Sequence, residues 1–449
     1  MQKINREWAI LFCVLITAFA VRMATFKYFL LAYDPFHHFA IGQFIAQGNG
    51  FPEHWGLSSY PSGARITEPP GLYYVSIALY WILKPLGISY LTAFKISTPL
   101  FGVGTILAAY LLARELFGRK TALYSAIILA FLPGFMYRTF AGFYRGDAFS
   151  IFFMVLGFYL FLKSLEGSTK NRTINAISAG VCFGLMGYVW NGFLFGFVIL
   201  SAFVIVYSAA AYLDGSESRR VILSYVLSAG IGIAILKYSI MAYPRVENYM
   251  EDLIKYIYPL TVGVSIFFEG VGYKTKKMAL KNKVYLLGLF AFAGVLLAYH
   301  FFEKMIENLI TGYGFVEASG SVLGTVGELR PPTNDVLWDK YGIAGVIAIP
   351  GALYLLKEKK LRSLVFVFVW LLASIFLMKT AIRYTFIASL PIAVVGAFFL
   401  CKIEEKFPKR ETKIVTTAVL IFVVATGVAF AGEQGPHITA GWIEALEFL

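Results

Sequence analysis

Residues 384–431 read YTFIASLPIAVVGAFFLC, then KIEEKFPKRETK, then IVTTAVLIFVVATGVAFA, and this stretch indicates the fold class. Two apolar runs of 18 residues flank the 12-residue segment 402–413, which carries five Lys and Arg residues. Each run is long enough to cross the hydrocarbon core of a bilayer as a helix. A basic segment between two such runs indicates a helical hairpin whose turn lies in the cytoplasm.

The same pattern recurs along the whole chain of 449 residues, of which 59% are hydrophobic and 14% are charged. The mean hydropathy of +0.71 excludes an ordinary soluble protein. Because regular alternation of apolar and polar residues is missing, a β-barrel is not expected. The sequence therefore predicts an all-α polytopic membrane protein with thirteen transmembrane helices, near residues 8–31, 92–113, 121–140, 149–162, 173–190, 192–212, 221–242, 254–272, 284–301, 342–356, 363–378, 384–401 and 414–431.

The net charge of +13 could indicate a nucleic-acid-binding protein, but the placement of the charges argues for the lipid bilayer instead. If the N-terminus is cytoplasmic, 24 of the 39 Lys and Arg residues fall in short segments on that side. This is the positive-inside pattern, which predicts a cytoplasmic N-terminus and an external C-terminus. The seven basic segments are 1–7, 114–120, 163–172, 219–220, 274–283, 357–362 and 402–413.

Three of the external loops in this topology are informative, and they lie at about 33–91, 141–148 and 302–341. The first and the third are longer than simple connections usually are. Within the first, residues 72–84 (LYYVSIALYWILK) form an apolar helix that we expect at the membrane interface. The middle of the third is rich in glycine, which is typical of a movable loop.

An acidic residue close to the membrane lies in each of these three loops, namely Asp34, Asp147 and Glu328. Asp34 follows the first apolar segment directly, and Asp147 follows the third. An ionisable side chain at a membrane boundary is costly unless it is paired or bound to a cation. If the three carboxylates converge, Mg²⁺ or Mn²⁺ would suit their hard oxygen ligands. Three unrelated, solvated loop acids are the alternative, and the residues alone leave it open.

A series of short motifs favours convergence of the three acids. In order, they are YDPFHHF (33–39), YPSG (60–63), PPG (69–71), RELFG (114–118), LPG (132–134), RTFAGFYRGD (138–147), WNG (190–192), TVGE (325–328), AIRY (381–384) and the segment 439–449. This series resembles the catalytic subunit of oligosaccharyltransferase, the family of archaeal AglB and bacterial PglB. The resemblance covers nearly the whole chain, and the family shares the thirteen-helix topology predicted above.

The resemblance implies a glycosyltransferase of the GT-C fold, multi-pass in the cell membrane, with its active site on the external face. Its partners would be a lipid-linked oligosaccharide on a polyprenyl (dolichyl) phosphate or diphosphate and an acceptor polypeptide with Asn-x-Ser/Thr. Asp34, Asp147 and Glu328 would be the catalytic residues and the ligands of Mn²⁺ or Mg²⁺. The substrate-binding residues would be Arg383, on the lipid phosphate, together with Arg145 and His38.

The chain departs from the family pattern at two places. Arg145 stands where the family usually has the first acid of an Asp-x-Asp motif. Residues 1–432 are expected to form the transmembrane catalytic domain, and 433–449 the start of a missing external soluble domain, which a separate chain could supply. Two other functions therefore stay open: a lipid-linked-sugar glycosyltransferase with a different acceptor, or a degenerate, non-catalytic paralogue that binds the lipid carrier.

Overall fold

The computed structural model describes residues 2–58, 61–240, 250–292, 294, 327–358, 360–438 and 441. Within this part of the chain, ten helices are long and apolar enough to cross a membrane. They confirm the prediction of a helical, multi-pass membrane protein. The ten are Arg6–Thr25, Tyr90–Phe117, Gly146–Lys163, Asn191–Asp214, Arg219–Tyr238, Met250–Lys274, Asn334–Leu355, Leu361–Thr380, Ile382–Lys406 and Arg410–Gly432.

A helical stretch at residues 280–292 is left without a number. The other α-helices are numbered in chain order. They are α1 (Gln2–Arg22), α2 (Asp34–Ala46), α3 (Gly71–Leu83), α4 (Tyr90–Phe117), α5 (Arg119–Phe131), α6 (Pro133–Met136), α7 (Gly146–Lys163), α8 (Thr169–Val189), α9 (Leu194–Asp214), α10 (Arg219–Ile240), α11 (Tyr258–Lys274), α12 (Asn334–Leu355), α13 (Leu361–Thr380), α14 (Thr385–Lys406) and α15 (Arg410–Gly432).

Three of the thirteen predicted segments are not among the ten long apolar helices. The segment 121–140 is interrupted because α5 ends at Phe131, Leu132 is extended, and Pro133 begins the short α6. Proline has no backbone N–H to continue a helix, although it fits a helix start. The segment 173–190 is helical as α8. Of 284–301, residues 284–292 and 294 are helical, and residues 293 and 295–301 lie outside the described part of the chain. The number thirteen and the orientation in the membrane stay predictions.

The loops that were predicted to be external are more structured than the sequence suggests. The first contains α2, the expected apolar helix as α3, and an antiparallel pair of strands, β1 (His54–Trp55) and β2 (Ala64–Arg65). The strands correct the all-α prediction in this small region. The third loop ends earlier than expected, because α12 begins at Asn334. Residues 302–326 of that loop lie outside the described part of the chain.

The centre of the helical bundle is formed around α14, because 83% of the residues in an apolar 18-residue window of the span Ile382–Lys406 are buried. Close helix contacts in the bundle use small residues, as is usual in membranes. At Gly427 of α15, for example, an added Cβ would lie 2.2 Å from the carbonyl oxygen of Phe131 in α5. Arg383 lies in the 3₁₀ turn Ile382–Tyr384 that leads into α14, and Arg145 immediately precedes α7. The rigid bundle thus fixes the two positions from which these arginines extend.

The segment after the last helix folds back onto the start of the first loop. The His437 backbone N–H donates to the Leu31 carbonyl oxygen at 2.9 Å, and the Tyr33 hydroxyl donates to the His437 carbonyl oxygen at 3.3 Å. The rings of Tyr33 and His437 are 5.6 Å apart. Of the segment 433–449, the structure describes 433–438 and 441, so the prediction of a soluble domain stays untested.

Candidate active site

Asp34 is the first residue of α2, followed by Pro35 at a helix start that suits proline. A carboxylate in the first turn is favoured by the helix dipole. The side chain is 52% exposed, and its Oδ2 lies 2.9 Å from Nη1 of Arg145. Asp34 therefore reaches solvent while it is held by a guanidinium from another loop.

Arg145 has an extended backbone and precedes the first turn of α7. The residue before it, Tyr144, is fully buried and stacks on Phe94, with ring centroids 3.9 Å apart and an interplanar angle of 17°. The Tyr144 hydroxyl donates to the carbonyl oxygen of Leu72, and the Ser76 N–H donates to that hydroxyl at 3.2 Å. Tyr144 therefore fixes the backbone from which the Arg145 side chain extends.

Glu328 lies in a short 3₁₀ helix, Gly327–Leu329, and approaches the same place from the third loop. Its Oε1 is 3.2 Å from Nη2 of Arg145, and its Oε2 is 2.7 Å from Nη2 of Arg138. Burial alone would raise the pKa of Glu328, but the positive charges of Arg138, Arg145 and Arg383 outweigh it and lower the pKa to about 2. The carboxyl group is therefore ionised at neutral pH.

Arg138 completes the arrangement from the turn that follows α6. Its side chain is fully buried, and its Nη1 lies 2.7 Å from Oδ2 of Asp147. Its Nε donates to the Tyr137 hydroxyl at 2.8 Å, and the other Asp147 oxygen accepts from the Ala148 N–H at 3.0 Å. Both charged groups are thus satisfied, as burial of charge requires.

The predicted acids are brought to one place, but two arginines lie between them. The order of contacts is Asp34, Arg145, Glu328, Arg138, Asp147, and we call these five residues the ionic chain. Among the described residues, no group of three or more His, Cys, Asp or Glu side chains is arranged to hold a metal ion. Thr325 and Val326 of the TVGE motif lie outside the described part.

The role of Arg138 was missed by the sequence analysis, although a signal was present. It lies near the end of the apolar segment 121–140. An arginine in such a position is costly without an anionic partner, and Asp147 follows within ten residues. This combination indicates a buried ion pair.

The other two predicted substrate-binding residues differ in their surroundings. Arg383 is partly buried, and its charge acts on Glu328. His38 is only 7% exposed, and its Nδ1 lies 3.1 Å from the Tyr144 carbonyl oxygen. Burial lowers the pKa of His38, which favours the neutral ring. Its observed contact supports the backbone before Arg145, and a contact with substrate stays a prediction.

Comparison with known sequences gives a match over nearly the whole chain. The family profile described as oligosaccharyl transferase STT3, N-terminal, matches residues 8–431. The dolichyl-phosphooligosaccharide-protein glycotransferase 2 of Pyrococcus horikoshii is 26% identical over 487 aligned positions. The alignment covers 99% of this chain and 62% of that protein.

Comparison with solved structures shows a shared fold. The Archaeoglobus fulgidus oligosaccharyltransferase AglB, in complex with an inhibitory peptide and a dolichol-phosphate, aligns with a TM-score of 0.81 at 17% identity, covering 99% of this chain and 58% of that one. The A. fulgidus oligosaccharyltransferase in complex with Zn and sulfate aligns with a TM-score of 0.69 at 19% identity, covering 97% and 55%. The chain spans about three fifths of the length of these proteins.

Proposed function

The chain belongs to the oligosaccharyl transferase STT3 family, and from that premise we propose that it catalyses protein N-glycosylation. It transfers a glycan from a polyprenyl (dolichyl) phosphate or diphosphate to the asparagine of an Asn-x-Ser/Thr acceptor. The relative from P. horikoshii is named for the same type of reaction. The observation that carries the proposal is the ionic chain, which brings acids and arginines from three loops to one end of the bundle.

The reaction forms a bond between the amide nitrogen of asparagine and the anomeric carbon of the glycan. The bond from that carbon to the phosphate oxygen breaks, its electron pair leaves with the phosphate, and the amide loses a proton. Asp34 and Glu328 orient the amide by accepting its N–H groups. Asp34, whose side chain is the most exposed of the three acids of the ionic chain at 52%, is placed to receive the proton.

The leaving phosphate requires a positive partner, and we assign Arg383 to it. A guanidinium binds phosphate with two parallel hydrogen bonds and keeps its charge at any working pH. Arg383 lies where the buried helix α14 begins, so its position is fixed before the lipid arrives. Such preorganised charge stabilises the negative charge that develops on the phosphate.

For the membrane, we propose the GT-C arrangement of thirteen helices with a cytoplasmic N-terminus and an external C-terminus. The ionic chain would then lie on the external face of the cell membrane. The support is the positive-inside distribution of Lys and Arg together with the ten observed apolar helices. A separate chain or a further domain would complete the acceptor site.

The prediction of Mn²⁺ or Mg²⁺ at Asp34, Asp147 and Glu328 stays a prediction, and the observed arrangement does not fit it. Asp34 and Glu328 are joined by Arg145, and Glu328 and Asp147 are joined by Arg138. One ion would require carboxylate oxygens within about 2.0–2.6 Å of a common point. The mechanism above therefore has no step that runs through a metal. Zn and sulfate are components of the similar A. fulgidus complex, and neither is assigned to this chain.

A second function, the non-catalytic paralogue that binds the lipid carrier, is favoured by one observation. Arg145 occupies the space between Asp34 and Glu328, where a divalent cation would be expected in an enzyme of this kind. In that case the lipid phosphate would still bind near Arg383, but no glycan would be transferred. A lipid-linked-sugar glycosyltransferase with a different acceptor would transfer its sugar but would not glycosylate the peptide.

The decisive experiment uses the full chain in lipid nanodiscs with a dolichyl-linked glycan and a fluorescent Asn-x-Thr peptide. Formation of glycopeptide, followed by gel shift and mass spectrometry, is the expected result. A peptide with Gln in place of Asn is the control. Carrier binding without glycopeptide would support the paralogue, and glycan transfer to lipid alone would support the other acceptor.

Replacement of Arg383 by alanine is expected to lower kcat/KM for the lipid-linked donor by about 10²-fold, because a charged donor to the phosphate is lost. The KM for the acceptor peptide should change little. The matched control is Lys379→Ala, which removes an exposed positive charge at the end of α13. Equal losses in both variants would mean that positive charge in this region assists the reaction, without a direct contact between Arg383 and the phosphate.

Replacement of Gly146 by alanine is expected to misalign Arg145 and Asp147 without removing a functional group. The added Cβ would lie 2.3 Å from the Val189 carbonyl oxygen, so the backbone must shift. A displacement of this kind can cost on the order of 10²-fold in rate. Gly263→Ala in α11 is the control, because nothing lies within 4 Å of its added Cβ. Transfer rates of both variants, measured beside their unfolding temperatures, check the expectation.

A further inference from the structure

Arg145 joins the two acids that are placed to contact an acceptor. Its Nη1 lies 2.9 Å from Asp34 Oδ2, and its Nη2 lies 3.2 Å from Glu328 Oε1. The Arg145 side chain is only 18% exposed, so this contact is partly shielded from water. The planar fork of a guanidinium presents its N–H donors to two carboxylates in fixed directions, whereas the donors of an ammonium group rotate.

The neighbours of Arg145 show that this position is held from both sides. On one side, Tyr144 is fixed by its stacking on Phe94 and by its hydroxyl contacts. On the other side, Gly146 lies against the Val189 carbonyl oxygen and Trp190, with no room for a Cβ. The side chain therefore extends from a backbone that has one available position, and it is preorganised for Asp34 and Glu328.

The charges around Glu328 also bear on a divalent ion. Arg138, Arg145 and Arg383 all lower the pKa of Glu328, so three positive charges already act on this carboxylate. A divalent cation would have to displace Arg145 from two acids and would then lie beside the buried Arg138. Like charges in a partly buried place repel strongly, since water screens them little.

We propose that Arg145 is the resident cation of the acidic cluster, which holds Asp34 and Glu328 ready for the acceptor without a bound divalent metal. This inference rests on the proposed glycan transfer and concerns the same site. Arg145 neutralises the repulsion between the two acids and orients them. The second oxygen of Asp34, Oδ1, is then available for the N–H of the acceptor amide. Turnover should consequently persist when divalent ions are removed.

The first test measures metal binding alone, on the full chain in nanodiscs without substrate. Mn²⁺ is titrated and the free ion is followed by electron paramagnetic resonance. Wild-type protein is expected to show no site that competes with added Mg²⁺. Arg145→Asp should create one, with at least about tenfold tighter Mn²⁺ binding, because a third acid replaces the cation. Arg172→Asp, which makes the same charge change at a residue whose guanidinium contacts Thr169, should not.

A stoichiometric Mn²⁺ site in the wild-type protein that disappears in Asp34→Ala would overturn the proposal. This outcome requires no Arg145 variant, so it can be read even if Arg145→Asp does not fold. The absence of such a site in the wild type, together with its appearance in Arg145→Asp, supports the proposal.

The second test measures glycan transfer after removal of divalent ions with EDTA, with and without returned Mn²⁺. Wild-type turnover is expected to change by less than about twofold, because the charge that organises the acids is covalently attached. Loss of turnover in EDTA with full recovery in Mn²⁺ would overturn the proposal. If transfer is absent under every condition, the proposed function fails, while the Mn²⁺ titration still decides the role of Arg145.

Discussion

Replacement of Asp34 by alanine is expected to lower the rate of glycan transfer on the order of 10²–10³-fold, the usual cost of losing a preorganised group at a reacting centre. Asp34 is the acid of the ionic chain with the greatest access to solvent and substrate, since its side chain is 52% exposed. No other described carboxylate contacts Arg145 from the first loop. A water molecule could fill the space but is a much weaker base than the carboxylate.

The same substitution should leave the protein folded. The partner of Asp34 is Arg145, which retains Glu328 at 3.2 Å when Asp34 is lost. An ion pair with one half-exposed member contributes only about 0–1 kcal/mol to stability. We therefore expect an unfolding temperature close to that of the wild type, so that the loss is confined to catalysis.

Two variants serve as controls for Asp34. Asp34→Asn keeps the shape but removes the charge, and it should lose nearly as much activity as alanine. Glu53→Ala removes an exposed acid from the same external loop and should retain wild-type turnover. Measurable transfer at the wild-type rate in Asp34→Ala would contradict the proposed role of the ionic chain.

Replacement of Arg138 by methionine is expected to destabilise the protein by about 3–5 kcal/mol, as is typical when one partner of a buried pair is removed. Arg138 is fully buried and bonds Asp147 and Glu328 at 2.7 Å each. Without it, the Asp147 carboxylate, which is only 7% exposed, has no counter-charge. Methionine fills much of the volume, so the loss reports the charge more than the packing.

The unfolding can be followed with a thiol-reactive dye, because Cys182 and Cys401 are buried in the folded protein. The exposed Cys13 is first replaced by serine to remove its signal. Arg138→Lys is the matched variant, since lysine keeps the charge but lacks the rigid planar fork of the guanidinium. It should lose stability to an intermediate degree.

A second change tests the cause. In Arg138→Met combined with Asp147→Asn, the unpaired buried charge is removed, so part of the lost stability should return. If Arg138→Met alone unfolds at the wild-type temperature, the ion pair is not desolvated and the description of the buried end of the ionic chain is wrong. The double variant should still transfer glycan poorly, because Glu328 has lost one of its two arginines.

Much of this organisation could be predicted from the sequence, because hydrophobic length and basic turns are local properties. The hairpin at 384–431 is an example, since α14 and α15 occupy the two apolar runs quoted first. For Asp34 and Glu328, the charge pattern predicted only that their loops lie on the same side of the membrane. The residues alone left open whether the two acids converge, and a shared site was what the family resemblance implied.

The features that the sequence did not predict depend on contacts between residues that are far apart in the chain. Which arginine reaches which acid is decided by the packing around Tyr144 and Gly146, far from Glu328 in sequence. The break at Leu132 was hidden because the apolar run continues through Pro133. The two short strands of the first loop contain too few residues to show an alternating pattern.

The contacts of His437 with Leu31 and Tyr33 anchor the segment after the last helix to the start of the first loop. Tyr33 is the residue before Asp34, so whatever is joined after residue 438 begins its path beside the reacting groups. A group on a short flexible tether experiences a local concentration in the millimolar range. A domain that binds the acceptor peptide and is attached at this point would already be close to the site. A weak affinity for the peptide would then be enough to deliver it.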